Sequence, residues 1–153
     1  MNELAEIIKH VVSHSADLKN LYTDEKQAPV EFGCVFCQSE DEYEKFTDEI
    51  KKYGRVVEDT ISGFTYLLEV PISTASGPLR LVKIRKVDPM RKERGDADFN
   101  TNYEELKKKY RNHPKFELIK RETFEYLRLS DRDFDVMACF SNIPKSEDLG
   151  IKY

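Results

Sequence analysis

The stretch from Gly77 to Phe99, GPLRLVKIRKVDPMRKERGDADF, constrains this chain more than any other. It reads as a strand, a basic connector and a second strand, and the same order of elements stands on either side of it. Before the connector the pattern is strand, helix and three strands; after it, that order repeats. In such a repeat each half has one helix covering one face of a four-stranded sheet, and the uncovered faces are free to form a shared cleft. A further helix precedes both halves. The expected fold class is therefore α+β, an N-terminal helix followed by tandem βαβββ modules. The expected divisions are 1–29 for the helix and its linker, 30–87 for the first module, 88–95 for the connector, 96–141 for the second module and 142–153 for a tail, all within one compact domain.

Composition narrows the partners. The 153 residues are 39% hydrophobic and 11% aromatic, enough for a folded core, while 35% charge implies a heavily solvated surface. A net charge of −4 argues against general nucleic-acid binding. The basic residues are nonetheless concentrated in Arg80, Lys83, Arg85, Lys86, Arg91, Lys92 and Arg94, a cluster able to receive an anion. There is no glycine-rich phosphate loop. No apolar run reaches the ~20 residues of a membrane helix, and the N-terminus lacks a signal-peptide pattern, so a cytoplasmic location is expected.

Taken in order, Asn2 to Tyr22 places Leu4, Ile7, Ile8, Val11, Leu18 and Leu21 on one side of a helix. His10 and His14 lie four apart on its flank with Asp17 nearby. That spacing is compatible with a metal, but without an H-E-x-x-H glutamate a polar helix flank is the favoured reading. Val30 to Cys37 alternates as a strand, and its Cys34 and Cys37 point to opposite faces. The pair therefore reads as packing residues instead of a metal or redox pair. Ser39 followed by Glu42 has capping-box spacing and opens a helix stopped by Gly54. Strands are expected over Arg55–Asp59, Phe64–Val70 and Leu79–Val87, with Pro71–Pro78 as a loop. In the second half, strands are expected over Asp96–Asn100, Lys115–Lys120, Thr123–Leu129 and Phe134–Ser141, with a helix carrying Tyr103, Leu106 and Tyr110. The tail from Asn142 is expected to be irregular.

This tandem βαβββ order, over roughly residues 30–141, resembles the vicinal oxygen chelate superfamily of glyoxalases, extradiol dioxygenases and bleomycin-resistance proteins. With its extra N-terminal helix it is similar to an uncharacterised bacterial branch carrying the same extension. The resemblance implies metal ligands on the first and fourth strands of each half, pointing into the cleft. Carried over, those positions give Glu31, Arg85 and Asp96, with Asp135, Met137, Cys139 and Ser141 on the eighth strand. A divalent metal held by Glu31 and Asp96 would be an incomplete set, because no histidine falls on these strands and a guanidinium has no lone pair to offer.

Two uses of the cleft follow. In one, Arg85 with Lys83 and Arg91 holds the carboxylate or phosphate of a small ligand, Asp98 and Tyr66 line the site, and Glu31 or Asp96 acts as acid or base. In the other, Arg85 pairs with Glu31 or Asp96 as a structural ion pair. The protein is then a non-enzymatic interaction module whose N-terminal helix docks a partner or a second copy of the chain in a homodimer.

Overall fold

Two short strands meet at the centre of the molecule. In the computed structural model, which describes residues 1–153, β1 (Val30–Phe36) runs antiparallel to β5 (Gly95–Phe99), with Gly33 opposite Ala97, Cys34 opposite Asp96 and Val35 opposite Gly95. On its other edge β1 pairs in parallel with β4 (Gly77–Arg85), which continues antiparallel into β3 (Gly63–Thr74) and β2 (Gly54–Thr60). β5 does the same with β8 (Val136–Ser141), then β7 (Glu125–Leu129) and β6 (Phe116–Lys120). The result is one eight-stranded sheet, β2-β3-β4-β1-β5-β8-β7-β6. Its halves are related by an approximate two-fold axis between β1 and β5. The fold is α+β, with the N-terminal helix followed by the tandem βαβββ modules.

Helices α1 (Asn2–Tyr22), α2 (Glu40–Ile50) and α3 (Tyr103–Tyr110) cover one face. Local sequence dictates where they start. The Ser39 hydroxyl accepts from the Glu42 amide at 3.1 Å, and the Asn102 side chain accepts from the Glu105 amide at 3.4 Å, each satisfying an otherwise unpaired first-turn donor. Beneath the helices, alternation sends Val82 and Ile84 of β4, Ala97 and Phe99 of β5, and Ala138 and Phe140 of β8 into a single core with Leu4, Ile8, Phe46, Ile50 and Leu106. The opposite side chains of the same strands face the uncovered side. Cys34 and Cys37 divide between the two faces, and all three cysteines are free.

Four local expectations need correction. The Pro71–Pro78 segment is not a loop: β3 runs on to Thr74, and a two-residue turn returns the chain at Gly77. The irregular register between Leu67 and Ile72 is what lets Pro71, which has no amide hydrogen, sit within the strand. The tail contains a short helix, α4 (Lys145–Asp148). Leu21, expected in the apolar stripe, is exposed, and the buried stripe takes in Ser15 and Lys19 instead. Finally, β1 is bulged between Val30 and Phe32, so Val30 packs beneath the helices while Phe32 faces the other way.

Close approach of α1 to the sheet depends on Gly95. A Cβ there would lie 2.1 Å from the Cys34 carbonyl oxygen and 3.0 Å from Val11 Cγ2 of α1. Gly95→Ala is therefore expected to cost about 3 kcal/mol or more in urea denaturation. Gly77→Ala, at φ +99° with open space around it, should cost only about 1 kcal/mol. Equal effects at the two positions would contradict this packing.

Candidate functional site

The uncovered face forms a concave cleft of about 540 Å³, a size suited to a small organic molecule. Its floor comes from the four central strands. β1 supplies Phe32, Cys34 and Phe36; β4 supplies Lys83 and Arg85; β5 supplies Asp96 and Asp98; β8 supplies Cys139 and Ser141. Glu58 and Thr60 of β2, Ser62, the β6–β7 turn with Arg121 and Phe124, and Lys145 of α4 form the walls.

Register decides which charges can meet. Asp98 stands opposite Phe32 on one side and Cys139 on the other; Asp96 stands opposite Cys34 and Met137. Lys83 and Arg85 stand opposite Cys34 and Phe36 on the far edge of β1. Cations and carboxylates are thus two strands apart, about 9.6 Å from backbone to backbone. No ion pair bridges them. Asp98 accepts from the Ser141 hydroxyl at 3.0 Å, and Asp96 accepts from the Cys139 thiol at 3.8 Å. The Lys83 ammonium donates to the hydroxyls of Thr60 (3.0 Å) and Ser62 (2.7 Å) and has no carboxylate within 4 Å. Arg85 reaches Asp88 at 3.3 Å and lies over the Phe36 ring, 4.9 Å from its centroid. Lys145 pairs with Glu58 at 2.9 Å and sits over Phe32.

These surroundings move the titrations toward neutrality. Burial raises the Asp96 carboxyl to about 6 against the opposing pull of Arg85, and burial together with the Asp96 charge raises Asp98 to about 7. The two titrate as a pair and share protons near pH 7. Burial lowers the Lys83 ammonium below its ordinary value. Burial and then Asp96 push the Cys34 and Cys139 thiols well above theirs. Burial is the strongest single influence on Glu58 and acts upward, but Lys145, the Thr65 hydroxyl and Lys83 together outweigh it and hold that carboxyl below its usual range.

Of the residues singled out from sequence, Lys83, Arg85, Asp96 and Asp98 converge on the cleft. Glu31, Tyr66 and Arg91 do not line it. Strand parity would place Glu31 with Gly33 and Val35, but the bulge breaks that parity, and Val35 faces the helices. The Glu31 carboxylate accepts from Asn100 Nδ2 (2.9 Å) and from the Ser146 amide in α4 (2.7 Å), so it seats the helix that delivers Lys145. Tyr66 pairs with Val82 and is buried in the core beneath the helices. Arg91 lies in the connector, 3.9 Å from Glu93. Asp135 precedes β8 and turns to α1. The Glu31–Arg85–Asp96 ion-pair network does not form.

The donors decide whether the cleft suits the divalent ion implied by the resemblance. Glu31 is engaged elsewhere, Lys83 and Arg85 repel a cation, and the nearby thiols are held protonated. The residues of the cleft do not fit that ion.

Lys145 and Glu58 escaped the sequence reading. Pro144 followed by Glu147 and Asp148 is a helix-start signal that points to α4, whereas nothing local marks Glu58. No family model matches the chain, and no curated protein sequence matches it. Among solved structures, one described as "Structural Genomics, Protein EC4020" has a TM-score of 0.74 at 12% identity, covering 97% of this chain and 91% of that one. At that identity the likeness is one of fold alone.

The raised carboxyls have a thermodynamic consequence. Between about pH 4 and 7 the native state binds more protons at Asp96 and Asp98 than the unfolded chain does, so stability falls as pH rises through that window. Relative to Asp98→Asn, the native sequence is expected to lose about 1–2 kcal/mol between about pH 5 and 8, allowing for solvent in the open cleft. Urea denaturation of both chains measures the difference, with the three histidines common to each. Parallel pH profiles would mean that Asp98 is ionised throughout.

Proposed function

We propose that the cleft binds a small molecule bearing a carboxylate or phosphate, and that Asp96 and Asp98 exchange a proton with it, in the manner of a vicinal oxygen chelate fold adapted to acid–base chemistry. The observation that carries this reading is the Lys83 ammonium. It is held by two hydroxyls, has no carboxylate partner within 4 Å, and stands two strands from a pair of carboxyls that also lack a cation. A ligand whose anion meets Lys83 and Arg85 would span β1 and present a hydrogen-bonding atom to Asp98. Phe32, Phe36, Phe124 and Tyr126 supply apolar surface for its remaining atoms. A carboxyl titrating near 7 is suited to general acid–base work because both of its forms are populated at neutral pH.

The test is calorimetric titration of the full chain with small aromatic carboxylates and phosphate monoesters. A hit should lose roughly ten- to a hundredfold in affinity in Lys83→Met, the value of one charge-assisted hydrogen bond, while Arg91→Ala binds normally. If no anion binds and Lys83→Met only raises the melting temperature, the cleft is a scaffold and the interaction-module reading replaces this one.

A further inference from the structure

On the opposite face, away from the cleft, α1 carries His10 and His14 one turn apart, and both imidazoles turn toward Asp135 in the bend before β8. His10 Nε2 lies 2.8 Å from Asp135 Oδ2, His14 Nδ1 lies 3.8 Å from Oδ1, and the ring centroids are 3.9 Å apart. One donor atom from each residue falls within 4.8 Å of the other two, and no other histidine, cysteine or acid cluster in the chain meets that condition. Donors around a tetrahedral zinc ion stand about 3.3 Å apart for bonds of about 2.05 Å. The two measured separations bracket that spacing.

The geometry points to a second site here, one that takes a divalent transition-metal ion of the zinc class on His10, His14 and Asp135. Its supports are fixed without reference to the ligands. The buried Ser15 hydroxyl, next to His14, donates to the Met137 carbonyl at 2.9 Å and locks α1 to β8. Val11, between the two histidines, rests against Gly95 where a side chain would obstruct it. The Asp135 carbonyl accepts from the Arg94 amide at 2.6 Å, which fixes the bend. The helix and the strand end therefore hold the three side chains in register.

Ligand type sets the class of ion. Two imidazoles and one carboxylate suit zinc, cobalt or nickel, whereas magnesium and calcium prefer all-oxygen shells. The side chains keep 37%, 47% and 52% of their surface open, so solvent reaches the ion and a fourth position stays available. Asp135 also borders a polar groove of mixed charge, with Lys92, Lys115 and Arg132 beside Glu93, Asp131 and Asp133.

The test uses the full chain after chelator treatment and dialysis. Cobalt titration followed by visible absorption, with zinc calorimetry alongside, should show one equivalent bound. His10→Ala and His14→Ala should each weaken binding by about tenfold or more, Asp135→Asn should do the same, and the cleft variants Asp98→Asn and Cys34→Ser should bind as the native chain does. Zinc should raise the melting temperature of the native chain and of the cleft variants but not of the histidine variants. Absence of binding, binding indifferent to both histidines, or binding lost in the cleft variants would overturn the assignment.

Discussion

The pairing of β1 with β5 is the contact on which the rest of the structure depends. Each is the first strand of its half and each pairs in parallel with the last strand of that half, so their antiparallel union makes one sheet from two. The same register sets the chemistry of the cleft. It puts Phe32 and Cys34, neither of them a cation, directly beside Asp98 and Asp96. The carboxyls are raised because the neighbouring strand offers them apolar groups and a thiol where a lysine would have kept them ionised.

The N-terminal helix is an integral part of this arrangement. Lys19 is almost fully buried, and its ammonium donates to Asn20 Oδ1 at 2.7 Å and to the Glu25 carbonyl, close to the Phe99 ring. The Thr23 hydroxyl donates to the Lys19 carbonyl at 2.8 Å. These bonds clamp the end of α1 and the segment leading into β1, so the helix and the central strand share one foundation. A buried lysine satisfied mainly by a carbonyl and an amide oxygen is tolerable because its stem packs as apolar surface.

Alternation made much of the cleft readable from sequence. The period of two in β4 and β5 placed Lys83, Arg85, Asp96 and Asp98 on one face, and in β8 it separated Cys139 and Ser141 from Ala138 and Phe140. It failed where the backbone departs from that period. One inserted residue at Glu31 reverses the sense of β1, and Asp135 lies just outside its strand. Tyr66, expected to line the cleft, was misplaced for another reason. Phe64, Tyr66 and Leu68 would fit either face, and only the pairing of Tyr66 with Val82 fixes the choice. Lys145 and Glu58 meet across 87 residues of chain, a separation no local pattern can report.

The approximate two-fold axis between β1 and β5 relates the backbones of the halves but not their charges. The first half brings lysine and arginine to the floor of the cleft, and the second brings two aspartates. Backbone symmetry alone would allow a guest molecule to sit in either of two equivalent orientations, turned end for end. The different side chains on the two halves of the floor remove that equivalence for a molecule with unlike ends. The repeated order of strands shapes the cavity, and the unlike side chains on its floor distinguish one end from the other.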